Sequence, residues 1–151
     1  MRATNHALTG AIIGLTVQNP WVALPAAFLS HFVCDLIPHH DDPSIPMGSK
    51  TEIRLLILDA FGAVIVASYL FALRPEHWFV ACWAAFLATS PDLMWIPRFI
   101  QRVRTGKDIE PRNWLEKFHA RIQRWASPRG AYVEAVWAIA AVILLANLTK
   151  I

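Results

Sequence analysis

Long apolar stretches make up most of this chain, and each ends on proline, glycine or charged residues. Thr4 or Asn5 can cap a first helix that runs to about Val17, where Gln18-Asn19-Pro20 ends it. A second helix is expected from Trp21 to Ile37, between Pro20 and Pro38. Its interior Pro25 falls near the first turn, where a missing N–H costs least. After a polar loop through Lys50, Thr51 can cap a third helix from Glu52 to Leu73, apolar apart from Arg54, Asp59 and Ser68. Arg74-Pro75-Glu76 forms a turn, and a fourth helix follows from His77 to about Ile96. From Pro111 to Trp125, the apolar residues Trp114, Phe118, Ile122 and Trp125 recur at spacings of three and four, the mark of an amphipathic helix. Ser127-Pro128-Arg129-Gly130 breaks that helix before a last apolar one, Ala131 to Leu148. No stretch alternates with period two, so the pattern predicts an all-α fold.

The stretches from Trp21 to Ile37 and from Glu52 to Leu73 approach the roughly 20 residues needed to cross hydrocarbon. Composition points the same way. The chain is 56% hydrophobic and 17% charged, against roughly a quarter charged in an average soluble domain. Its seven tryptophans suit membrane interfaces and its ten prolines suit helix ends. The expectation is a single membrane-embedded domain over 1–151: about five membrane-associated helices plus one amphipathic interfacial helix. The first and last helices are marginal in length, and a buried soluble bundle is the alternative. Cys34 and Cys82 lie apart in apolar runs, as buried free thiols do. The first residues lack the small-residue cleavage site of a signal peptide.

Charge orients the helices. Of the fourteen Lys and Arg residues, nine fall between Arg98 and Arg129. A nucleic-acid surface is one reading, but no recognition motif accompanies it, and a positive-inside loop between apolar spans explains it better. With that loop in the cytoplasm, the turn at 74–76 is outside, the 38–52 loop is inside, and the N-terminus is cytoplasmic in a multi-pass protein of the cell (inner) membrane. This assignment uses only Lys and Arg. It nevertheless gathers His6, His31, Asp35, His39, His40, Asp41, Asp42, Asp59, Asp92, His119 and Glu134 towards one face, leaving Glu76 and His77 on the other. Ionisable groups within a bilayer face a partner or a wet cavity, so such convergence suits a metal or catalytic site.

The sharpest local pattern is Ser30-His31-Phe32-Val33-Cys34-Asp35, continuing into Pro38-His39-His40-Asp41-Asp42. His31 and Asp35 stack on one helical face, about 6 Å apart along the axis, where imidazole nitrogen and carboxylate oxygen can share a divalent ion. Zinc is the usual choice for such mixed ligands. His6, Asp59, Asp92 and His119 are the further candidate ligands. Each has a plainer alternative: an interfacial side chain for His6, a hydrogen bond to a neighbouring helix for Asp59, an N-cap after Pro91 for Asp92, and an interfacial ring for His119. Asp42, before Pro43, suits turn chemistry. No GxSxG elbow, Walker loop, HExxH or EF-hand loop is present.

These residues resemble those of the YdjM-like group of bacterial inner-membrane, metal-dependent hydrolases. The resemblance rests on Asn5-His6 with Gly10 and Gly14, on Ser30-His31-Phe32-Val33-Cys34-Asp35 leading into Pro38-His39-His40, on Ser90-Pro91-Asp92, and on Phe118-His119 with Ile122-Gln123. That group is in turn distantly similar to the helical zinc-dependent phospholipases C and single-strand nucleases. The resemblance implies an HxxxD role for His31 and Asp35 and an N-terminal ligand in His6, with Asp92 and His119 completing the sphere. Those enzymes carry two HxxxD pairs and this chain one, which implies one or two ions rather than three.

Together these features lead to the expectation of a metal-dependent hydrolase acting on a phosphoester at the cytoplasmic interface, a lipid headgroup being one such substrate. Asp41, or whichever of His39 and His40 does not ligate, is the candidate general base. The expected partners are membrane lipid and an anionic phosphoester, without nucleic acid. The alternative is a non-catalytic helical membrane protein that binds an ion or a protein partner.

Overall fold

The computed structural model describes residues 1–42, 44–46, 48–107, 110–111 and 113–150; Arg112 of the basic stretch lies outside them. The helices are α1 (Ala3–Thr16), α2 (Pro20–Asp35), α3 (Lys50–Leu73), α4 (Trp78–Thr89), α5 (Ile96–Thr105), α6 (Trp114–Ile122) and α7 (Gly130–Leu148). A 3-10 turn, Ser90–Trp95, joins α4 to α5, so Trp78–Thr105 is one helical run of 28 residues. With that run counted once, the described residues form six helices. The fold is all-α apart from two short strands, β1 (His39–His40) and β2 (Ala126–Ser127), paired in parallel. Two residues cannot display a period, and their pairing is long-range, so the sequence pattern gave no sign of them.

Local chemistry sets the helix ends, although not always at the expected residue. Asn19 caps α2, its Oδ1 accepting from the Trp21 N–H at 3.0 Å, and Pro20 opens the first turn. Ser49, rather than Thr51, caps α3 by accepting from Glu52 N–H at 3.1 Å, while the Glu52 carboxylate turns back to Gly48 N–H. Neither Thr4 nor Asn5 caps α1. That role falls to Asp59 on α3, whose oxygens accept from the Ala3 N–H (2.7 Å), the Thr4 N–H (3.0 Å) and the Thr4 hydroxyl (2.7 Å). The fourth helical run does not stop at Ile96. Pro91 and Pro97 sit in the first turns of successive segments, where they remove no needed donor, and the run continues to Gly106, whose φ of 67° ends it.

The α1 helix is the hub, packed against α2, α3, α4 and α7. Gly10 and Gly14 let it approach α4 closely. A Cβ at Gly10 would collide with the Ala84 carbonyl and the Ala88 methyl, and one at Gly14 with the Ala81 backbone. Small residues facing small residues are how helices pack where lipid is the solvent. Around this seam lies a core of Ala7, Leu8, Ala11, Val66, Leu70, Ala81, Ala85, Ala141 and Leu145. The outward faces are apolar too: Ile57, Leu58, Phe61, Val64 and Ile65 on α3, and Val136, Ile139, Val142 and Ile143 on α7, are all exposed. Apolar surface of this extent marks a face that meets a membrane or another protein. Three helices, α3, the Trp78–Thr105 run and α7, are long and apolar enough to cross a membrane.

Side-chain contacts gather five helix ends at one end of the bundle. The start of α1 meets α3 through Thr4 and Asp59, and meets α7 through Arg2 N–H donating to Glu134 at 2.8 Å. The end of α2 meets α4 through His31 and Ala88. The β1–β2 pair ties the segment after α2 to the α6–α7 connection, and Gly130 lies so close to the His39 backbone that a Cβ would overlap it.

Candidate metal centre

Four side chains at this end come together: His31 and Asp35 from α2, Asp92 from the 3-10 turn and His119 from α6. One ligand atom from each lies within 4.8 Å of the other three. His31, Asp35 and His119 are fully buried, whereas the Asp92 side chain is 31% exposed and forms the rim. His31 and Asp35 meet because four residues complete about one helical turn. His119 reaches them because the amphipathic α6 turns its inner face, with Ile122, onto α2.

Each ring nitrogen of His31 has a defined surrounding. Nδ1 lies 2.8 Å from the Ala88 carbonyl oxygen, which can only accept, so Nδ1 carries a proton. Nε2 faces Asp35 Oδ2 at 3.2 Å and Asp92 Oδ1 at 3.6 Å. This grouping of acceptor atoms calls for a proton or a cation among them: a proton on His31 Nε2, a proton on His119 Nε2, which contacts both His31 and Asp35, or a metal ion. A backbone carbonyl holding the far nitrogen is the usual support of a metal-bound imidazole. Ligand atoms about 2 Å from a zinc ion stand about 3.3 Å apart in a tetrahedron, close to these separations. His31, Asp35 and Asp92 therefore fit a divalent cation.

His6 supplies a second sign. Its ring is fully buried and stacked on His31, with centroids 4.0 Å apart, yet neither nitrogen makes a hydrogen bond. Its Nε2 points to Asp35 Oδ1 at 3.2 Å, and the Met1 amino group touches the same oxygen. Asp35 thus presents Oδ2 to His31 and His119, and Oδ1 to His6 and Met1. His6 Nδ1 has no such neighbour among the described residues, and a buried polar atom without a partner is rare and calls for a reason, such as a bound ion.

The remaining expected residues lie elsewhere. Asp59 is outside the four-residue group, its oxygens committed to the start of α1. Among the described residues, His39, His40 and Asp41 make no hydrogen bond or ion pair with the four. His39 is buried, its Nδ1 2.9 Å from the Ile37 carbonyl, and its backbone is held in β1. His40 and Asp41 instead line a neighbouring concavity of about 480 Å³ with Asp42, Glu52 and Asp59, and Met1 forms part of its wall. Pro38 ends the helical register, and strand pairing carries the His-His-Asp run away from the α2 face. Asp42 performs turn chemistry, accepting from Ser44 N–H (2.9 Å) and the Ser44 hydroxyl (2.7 Å), which hold its carboxyl below the usual range.

Sequence reasoning missed three contributors. Trp95 donates its indole N–H to His119 Nδ1 at 2.8 Å, and the Arg98 guanidinium covers the indole 4.5 Å from its centroid. The Ala88 carbonyl orients His31, and a backbone group leaves no trace in composition. Glu134, noted only for its side of the membrane, accepts from Arg2 N–H and fixes where α1 begins. The tryptophan at the foot of Ser90-Pro91-Asp92 was the one legible signal, since an indole that is partly buried usually finds an acceptor for its N–H.

Fold and site together define an all-α protein with candidate membrane spans and a buried His/Asp group able to hold a metal ion. Comparison of the chain with protein-family models, curated proteins and solved structures gives no match.

Proposed function

We propose that the chain is a membrane-embedded, metal-dependent hydrolase that acts on a phosphoester, with His31, Asp35 and Asp92 as the heart of its ion site. The observation that carries this reading is His31 Nε2 facing two carboxylates, with the buried His6, whose Nδ1 makes no hydrogen bond, on the other side of Asp35. When bound, a divalent ion, zinc by ligand type, supplies Lewis-acid activation of water and of a phosphoryl oxygen. Asp35, presenting one oxygen to His31 and the other to His6, accommodates one ion or two. The partly exposed Asp92 marks the approach for substrate, and the basic α5 begins four residues beyond it. The concavity beside Met1 is lined by four carboxylates, which favour arriving cations and repel an anionic phosphoester. The resemblance to the YdjM-like group and the placement of the site at one end of the apolar helices support the same reading. In it, α3, the Trp78–Thr105 run and α7 span the inner membrane, α1 and α2 form an embedded hairpin, and the site faces the cytoplasm.

The test is hydrolysis of a chromogenic phosphodiester by detergent-purified protein supplied with zinc. His31→Ala and Asp35→Ala are expected to lose activity by at least a hundredfold. Arg104→Ala is expected mainly to raise KM. Wild-type activity no higher than that of His31→Ala would overturn the reading. A second reading, a non-catalytic bundle tied together by a buried polar network, draws on the complete burial of His6, His31, Asp35 and His119. It predicts ion binding without turnover, or neither.

A further inference from the structure

We infer that Trp95 locks His119 in the tautomer that donates a hydrogen bond from Nε2, so that His119 steadies Asp35 instead of ligating the ion. The inference deepens the proposed ion site and rests on that reading only for the ion itself. An indole N–H can only donate, and Trp95 Nε1 lies 2.8 Å from His119 Nδ1, so Nδ1 must offer its lone pair. In a neutral imidazole the proton then sits on Nε2, and an imidazolium has no lone pair for Trp95 to meet. The Nε2–H points at Asp35 Oδ2, 2.6 Å away, the shortest of its contacts, with His31 Nε2 at 3.1 Å and the Gln123 side-chain amide at 3.2 Å. The first separation suits a charge-assisted N–H···O bond, and is well below the roughly 3.3 Å between two ligands of one zinc ion.

The two histidines that face Asp35 Oδ2 are therefore opposite in kind. The Ala88 carbonyl puts the proton of His31 on Nδ1 and frees Nε2 for an ion, whereas Trp95 does the reverse to His119. The indole is held for the task. Arg98 covers it at 4.5 Å from the centroid, and its ring centroid lies 5.5 Å from that of His119. The ion is left with three protein ligands, His31, Asp35 and Asp92, the number that typifies catalytic rather than closed structural zinc sites. Trp95 is thus a positioning residue that acts through His119.

Nitrogen NMR of the protein labelled with ¹⁵N-histidine, in micelles and without metal, reads the tautomers directly. His119 is expected to show a protonated Nε2 and an unprotonated Nδ1, and His31 the opposite. In Trp95→Phe the His119 signals are expected to shift towards the other tautomer while those of His31 stay fixed, which shows that the fold is retained. On loading with ¹¹³Cd²⁺, scalar coupling is expected to His31 Nε2 and not to His119. A protonated Nδ1 on wild-type His119, cadmium coupling to its Nε2, or unchanged His119 signals in Trp95→Phe would each overturn the inference. Failure of cadmium to bind at all would instead overturn the metal reading and leave the tautomer assignment standing on the metal-free spectrum.

Discussion

At the scale of single residues, the site turns on which neighbours can only donate and which can only accept. Asp35 takes contacts from His6, His31, His119 and the Met1 amino group with no exposure to solvent, so its removal strands several polar groups at once. Loss of one partner from such a buried network costs about 3–5 kcal/mol. Asp35→Ala is expected to lose about that much in thermal or denaturant unfolding in detergent, whereas Asp92→Ala, at the exposed rim, is expected to lose about 1 kcal/mol or less. Similar losses in both variants would show that burial does not set the energetics of the group. His31 and Asp35 were legible in the sequence because a spacing of four on a helix is a geometric statement. The roles of His119 and Asp59 were not, because partners distant in the chain decide each: Trp95 and Asp35 share His119, and the start of α1 takes Asp59.

At the scale of elements, two devices place α1, which carries His6 into the site. The first is the Asp59 cap, which serves α1 from a different helix. Asp59→Ala is expected to cost about 1–2 kcal/mol, as the loss of a helix cap does, and to leave the metal content unchanged. A loss of bound metal without a loss of stability would return Asp59 to the ligand set. The second device is the glycine seam. Gly14→Leu is expected to force α1 away from Ala81 and to abolish the monodisperse folded peak in size-exclusion chromatography, whereas Gly106→Ala, with open space around it, strains only a left-handed turn. Helix existence was plain from apolar runs and prolines. Helix ends were less so, because proline stops a helix only where an N–H is needed, and neither Pro91 nor Pro97 sits at such a place.

At the scale of the whole molecule, the exposed apolar faces of α3 and α7 run along the sides and the polar side chains gather at one end, the arrangement that the proposed membrane-embedded enzyme requires. The charge asymmetry sets a direction. Cysteine labelling in intact cells is expected to place Ser44→Cys and Gly106→Cys on the cytoplasmic side and Glu76→Cys on the opposite side. Finding positions 44 and 76 together would reject the positive-inside assignment. The sequence separated spanning stretches from loops through length and hydropathy alone. It could not show that α1, at 14 residues, is a hub enclosed by other helices rather than a lipid-facing span, because an apolar helix inside a bundle and one facing lipid have the same composition.

Elemental analysis of detergent-purified protein, wild type beside His31→Gln and Asp59→Ala, tests most directly whether the buried His/Asp group is a metal centre. One or two divalent ions per chain are expected in wild type and in Asp59→Ala, with near-complete loss in His31→Gln. Chelation is expected to lower the melting temperature of wild type but not of His31→Gln, since an ion held by the folded state stabilises it by mass action. A wild type that retains no divalent ion, or a His31→Gln that retains as much as wild type, would contradict a metal centre at this end of the bundle.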